Sequence, residues 1–257
     1  MTFIDTHTHL NDDVYSDYGI DMVQKAIDAG VEFMILPGTS LTELESMKAL
    51  AARYPEHIRM FAGLHPTELT SDVDGALDVI RKELDTPDLP YVGVGEIGID
   101  LHEASFSIEK QMYAFDAQCR MAIDRKLPIN IHCRDGLEQT LEVLRGLPEI
   151  PNGAFHCFGG TPRDVERIRE VGDFYFGING IVTFKNSGLR ETLPSIGLDR
   201  IILETDSPYL SPVPFRGKLN DSSYIPLIAQ TIAQTLGVTL ETVAQITTSS
   251  ARKLYSI

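Results

Sequence analysis

Eight short apolar runs rich in β-branched residues recur along this chain, separated by stretches of helical period, and no other feature restricts its fold as strongly. The runs are Phe3–His9, Glu32–Gly38, Met60–His65, Tyr91–Ile99, Pro128–Cys133, Gly153–Phe158, Phe174–Gly180 and Arg200–Asp206. Strands that alternate with helices return to the same edge and build a parallel sheet. Helical stretches fill the gaps: Ile20–Ala29 stopped by Gly30, Leu41–Arg53 stopped before Pro55, Ser107–Arg125, and Pro162–Val171 stopped by Gly172. Tyr224–Leu236 and Leu240–Leu254 follow the last run, with Thr239 as N-cap of the second and Glu241 in its first turn. An open doubly wound sheet would usually carry a glycine-rich phosphate turn after an early strand, and the sequence has none. Eight runs spread over 257 residues predict an α/β chain, a closed (β/α)8 TIM barrel, in one domain spanning 1–257.

The opening MTFIDTHTHL has no basic segment followed by an apolar one, so no signal peptide is expected. No run of about 18 apolar residues is present to span a bilayer. Cys119, Cys133 and Cys157 form no CxxC pair and leave an odd thiol in any pairing, which predicts a reducing, cytoplasmic setting. No protein partner is implied. The balance is acidic, 37 Asp plus Glu against 22 Lys plus Arg. That argues against broad nucleic-acid binding, which uses cations to neutralise many phosphates. It does not argue against cutting at one point, where bound cations and a few basic side chains dominate the local field.

In a TIM barrel the active site gathers at the C-terminal ends of the strands. His7 and His9 end the first run, and residues i and i+2 of a strand point the same way, so both imidazoles can aim into the barrel mouth. A lone HxH is equally well a pair of exposed polar residues. Glu96, however, sits within the apolar stretch YVGVGEIGID, where a carboxylate without a cation or strong donors is costly. His132 ends PINIHCRD, His156 lies in GAFHCF, and Asp206 ends RIILETDSP. Any one of them has a bland reading as a satisfied polar residue. Together these six, at the ends of runs one, four, five, six and eight, predict a metal centre. His65, in AGLHP, obeys the same rule and is a candidate substrate contact, whereas His57 and His102 read as loop histidines. Asp5 and Glu204 each precede a proposed ligand by two residues and are expected to orient an imidazole.

The segments DTHTHL, AGLHP, GEIGID, NIHCRD, FHCFGG, GIVTFKN, LETDSPYLSPVPFRGK and TTSSARKLY resemble the TatD family of metal-dependent deoxyribonucleases, within the amidohydrolase-like barrels. The resemblance runs nearly end to end, and GEIGID with ETDSPYL is its most specific part. It implies that Glu96 bridges two divalent ions, with His7, His9 and Asp206 completing one site and His132 and His156 the other. It also implies DNA phosphodiesters as the substrate. After RGK the family's Arg-Asn-Glu-Pro stretch is replaced around Asn220 by Leu219, Asp221 and Ser222; Ser250 stands for the usual Asn before Ala-Arg, and Gly136 follows NIHCRD where Ala is frequent. No ligand position is lost.

Two metals about 3.5–4 Å apart activate water and stabilise charge on both attacking and leaving oxygens. Glu96 has the lone pairs to bridge them, and Asp206 can serve as ligand and general base. Imidazoles suit Zn, Mn or Fe, whereas Mg prefers oxygen. Arg134, Lys185, Arg216 and Lys218 lie beyond strand ends and are candidate phosphate anchors. Alternatives that keep the same ligands are an ester or amide hydrolase, such as an aminoacyl-tRNA deacylase, and a non-catalytic metal-binding scaffold.

Overall fold

The computed structural model describes the chain from Met1 to Ile257, apart from Gly19, Ala104 and the side chains of residues 16–18. The strands are β1 (Phe3–Asp5), β2 (Val31–Leu36), β3 (Ile58–Ala62), β4 (Tyr91–Asp100), β5 (Ile129–Arg134), β6 (Gly153–Phe155), β7 (Tyr175–Ile178) and β8 (Ile201–Leu203). They pair in chain order, all parallel. The seam between β8 and β1 closes through Thr6 N to Leu203 O at 2.9 Å and a parallel bridge between Thr8 and Ser207. With helices between the strands this is the expected (β/α)8 barrel.

The helices are α1 (Met22–Asp28), α2 (Leu44–Arg53), α3 (Val73–Leu84), α4 (Ile108–Arg125), α5 (Leu137–Gly146), α6 (Pro162–Arg169), α7 (Leu189–Ile196), α8 (Ile225–Leu236) and α9 (Leu240–Tyr255). Their starts follow the capping chemistry of the sequence. Thr161 and Asp164 form a reciprocal capping box with Pro162 at the first turn of α6, and Thr239 Oγ1 accepts from Thr242 N at 3.1 Å to start α9. α3, α5 and α7 are additions to the helices read from the sequence. α3 carries Gly75 in its first turn and α7 is eight residues long with Pro194 inside it, so local pattern undersells both. Each is held by its apolar stripe, such as Val73, Ala76, Leu77 and Ile80 of α3.

Side chains from β1, β2, β3, β6, β7 and β8, including Ile4, Phe33, Ile35, Phe61, Ala154 and Ile202, meet in one cluster. Only inward positions of a closed sheet can do this. Tyr255 of α9 joins them, its ring 5.1 Å from that of Phe61. A larger cluster packs strand residues such as Met34, Leu36, Val94 and Ile131 against the helices. With the interior filled in this way, the inward polar residues are left at the strand C-termini. Among the described residues, no helix is long and apolar enough to cross a membrane.

Candidate metal centre

His7 and His9 lie beyond the last ladder residue of β1, but the chain stays extended because Thr8 N donates to Ile35 O (3.1 Å) and His9 N to Ser207 O (2.8 Å). Asp206 lies beyond β8, its N–H bonded to His7 O at 2.9 Å. Its φ of +57° is a left-handed conformation that Asp tolerates better than most residues, and it brings the carboxylate to 3.8 Å from His7 Nε2 and 3.6 Å from His9 Nε2. Glu96 is carried by β4 where strands crowd: a Cβ on Gly63 would stand 2.7 Å from the Gly95 carbonyl carbon. Only glycine allows that approach.

The Glu96 carboxylate is the focus of the site. Its Oε1 is 2.7 Å from His156 Nε2, 2.8 Å from His132 Nδ1 and 3.3 Å from His65 Nε2; its Oε2 is 3.3 Å from His7 Nε2. All six residues expected from the sequence therefore converge, and His65 joins them. Three overlapping donor sets form, His7–His9–Glu96, His7–His156–Asp206 and His65–Glu96–His132, with ligand atoms within 4.8 Å of one another in each.

The donor set fits a cation. His7 is fully buried, and its Nδ1 lies 2.9 Å from Asn130 Oδ1, which fixes the proton there. Its Nε2 is then a bare lone pair without a hydrogen-bond partner, directed at two carboxylates. Acceptors facing an acceptor in the interior repel unless positive charge lies between them. Burial opposes the charge on Glu96, yet the surrounding imidazoles, His156 foremost, outweigh it and hold its pKa well below the usual carboxylate range. Burial likewise works against charge on Asp206, and the hydrogen bond with His9 leads the groups that overcome it.

His65 differs from the other imidazoles. Its Nδ1 accepts from Thr67 N at 3.2 Å, which leaves the proton on Nε2, aimed at Glu96. That arrangement suits a donor to an oxygen better than a metal ligand. Burial pushes its pKa down, in keeping with a neutral ring.

The groups that orient the imidazoles differ in part from those expected. Asp5 touches no imidazole. It accepts from Thr205 N (2.9 Å) and Thr205 Oγ1 (2.6 Å), bracing the β1–β8 seam. Glu204 stands 3.7 Å from His156 Nδ1 and is committed to Cys157 N at 2.6 Å. The close partners are instead Asn130 for His7 and Asp100 for His132, whose Nε2 lies 2.9 Å from Asp100 Oδ2. Asn130 precedes His132 by two residues, so the parity rule that flagged Asp5 applied to it equally.

The four expected phosphate anchors stand outside the cluster. Arg134 is exposed and bonded to Glu103 at 2.7 Å, Lys185 is exposed, Arg216 stacks on Phe184 at 4.0 Å, and Lys218 lies 5.7 Å from the Phe215 ring centre. Tyr209, not singled out by sequence, is 57% exposed with its ring edge-on to His9 at 6.1 Å. His57 and His102 lie away from the cluster, bonded to Glu32 O (2.8 Å) and paired with Asp135 (3.4 Å).

Comparison with known proteins gives the family and the fold. The family described as TatD related DNase matches residues 4–256. A protein named 3′-5′ ssDNA/RNA exonuclease TatD from Erwinia billingiae is 33% identical over 92% of both chains. The uncharacterized metal-dependent hydrolase YabD of Bacillus subtilis is also 33% identical, over 98% of both. The crystal structure of YJJV, a TatD homolog from Escherichia coli, superposes with a TM-score of 0.90 at 27% identity, covering 99% of this chain and 98% of that one.

Proposed function

The chain belongs to the family of TatD-related DNases, and on that premise we propose that it is a divalent-metal-dependent exonuclease acting on single-stranded DNA or RNA from the 3′ end. The observation that carries this reading is the Glu96 carboxylate set among His7, His65, His132 and His156 at the mouth of the barrel. Residues 1–257 act as one domain, and the three free cysteines fit the cytoplasm.

In this reading two divalent cations would be held by these residues, one by His7, His9 and Asp206 and the other by His132 and His156, with Glu96 available to both. The imidazole-rich set favours Mn, Zn or Fe over Mg. Such a pair lowers the pKa of water and neutralises charge building on the phosphate. Asp206, 9% exposed at the mouth, takes the proton of the attacking water. The water oxygen bonds to phosphorus while the bond to the 3′ oxygen of the preceding nucleotide breaks. That oxygen takes a proton from solvent, and a nucleoside 5′-monophosphate leaves. His65 directs its Nε2 proton at a phosphate oxygen, and Lys185, Arg216 and Lys218 hold the backbone at the rim, while Arg134, expected to do the same, is taken by Glu103.

The test is end-labelled single-stranded DNA with Mn²⁺ or Mg²⁺, followed on a gel beside metal analysis. Stepwise shortening and up to two ions per chain are expected, and His132→Ala should slow the first and reduce the second. Intact DNA alongside turnover of an aminoacyl ester would replace the nuclease by the deacylase reading.

A further inference from the structure

We propose that the cavity of about 500 Å³ between the loops after β5 and β6 receives the base of the terminal nucleotide; this rests on the nuclease reading above.

His132 and His156 form one wall of the cavity, and both touch Glu96 through their other face of the site. A phosphodiester at the cluster therefore has this space beside it. The volume lies in the range of cavities that enclose a small ligand. Phe155, Phe158 and Leu137 make its apolar surface. Phe158 is held edge-on by Phe176 at 4.7 Å, so that wall is fixed before anything binds.

Charge decides which part of a nucleotide fits. Asp135, Glu138 and Asp164 line the rim, and Arg134, the one Arg or Lys among the described residues lining it, is committed to Glu103. Phosphate is repelled from such a space, whereas a neutral aromatic heterocycle is not. The rim carboxylates are themselves engaged: Asp164 by Thr161 N at 2.9 Å, Asp135 by His102 at 3.4 Å, and Glu138 by Arg167. With its polar groups so occupied the cavity reads shape and apolar surface and not base identity, as stacking platforms do. The phosphate stays at the acid–imidazole cluster and the base enters the pocket.

Gly159 offers a clean block. It lines the cavity, a Cβ there meets nothing within 4 Å, and its φ is outside the left-handed region. Gly159→Phe should fold normally and fill the space; Gly159→Ala is the control and should behave as wild type. Two readouts are used. Titration calorimetry with deoxyadenosine 5′-monophosphate and Mn²⁺ should show binding to wild type and roughly tenfold weaker binding to Gly159→Phe, the loss of about one base contact. On single-stranded DNA, kcat/KM should fall by a similar factor, while a strand ending in an abasic residue is cut equally by both proteins.

Equal nucleotide binding by both proteins overturns the pocket, as does an equal loss on intact and abasic ends, which would place the effect on the cluster. If wild type leaves every strand intact yet binds the mononucleotide in a Gly159-dependent way, the pocket stands and the nuclease reading falls. If DNA is degraded and Gly159→Phe changes nothing, the pocket falls alone.

Discussion

Asp100→Asn is a near-isosteric change that should cost metal affinity through one proton. Asp100 is buried, its Oδ1 accepting from the backbone N–H groups of His102 (2.7 Å) and Glu103 (2.6 Å) and its Oδ2 facing His132 Nε2 at 2.9 Å. The carboxylate thus holds the His132 proton on Nε2 and leaves Nδ1, 2.8 Å from Glu96, as a lone pair for a cation. In Asp100→Asn the amide oxygen must stay with the two backbone donors, since leaving them unpaired would cost about 1–3 kcal/mol. The amide NH₂ then faces His132 Nε2 and makes it an acceptor, which drives the proton to Nδ1, the wrong nitrogen. Loss of such a supporting partner costs roughly 10–100-fold in metal affinity, or about 1.4–2.8 kcal/mol. Competition against a chromophoric chelator should show one of two binding steps weakened by that factor. Thermal unfolding without metal should move little. Unchanged affinity at both steps, in a folded variant, would refute the tautomer argument and with it the role of Asp100.

Three further outcomes follow from the same geometry. Saturating divalent metal at about 100 times its Kd should raise Tm by roughly 5–10 °C, and chelation should reverse it, because the cluster binds cations only when folded. Asp5→Ala removes the acceptor for buried Thr205 N and Thr205 Oγ1 and should cost about 1–3 kcal/mol in urea unfolding, with metal stoichiometry retained. Tyr209→Ala should raise KM for single-stranded DNA about tenfold at constant kcat, with Tyr209→Phe near wild type, since an exposed ring beside His9 offers a stacking face.

The barrel was legible because its strands are buried on both faces and therefore read as continuous apolar runs, several of them carrying near their ends a histidine or carboxylate that does not belong in a core. Glu96 inside YVGVGEIGID carried most of that information, and the convergence of six side chains followed from one rule about strand ends. What failed was finer in scale. Parity relates two residues only while both belong to the strand, and β1 ends at Asp5, whose carboxylate is taken by Thr205 across the seam instead of an imidazole. Asp100 was hidden for another reason: its partner His132 lies on the neighbouring strand, paired in register through Gly98, and no local pattern reports cross-strand proximity. α5 and α7 were obscured because their stability lies in packing against the sheet, with Leu141, Leu144, Leu193 and Ile196 buried, more than in local propensity.

The same distribution of charge bears on how an acidic chain could handle a polyanion. Among the described residues, no carboxylate lies within ion-pair distance of Lys185, Arg216 or Lys218, which follow β7 and β8. On the adjoining part of the rim, after β5 and β6, Arg134 is paired with Glu103, and Asp135, Glu138 and Asp164 prevail. A phosphate backbone is attracted to the first side and repelled from the second, over distances comparable to the Debye length of about 8–10 Å. Only a chain end, with one base and no further phosphate, can extend past the cluster toward β5 and β6. In the proposed reading exonucleolytic action needs no separate barrier: the change of field along the rim, from the loops after β7 and β8 to those after β5 and β6, supplies one, and a net charge of -15 is compatible with it because the cations that matter are few.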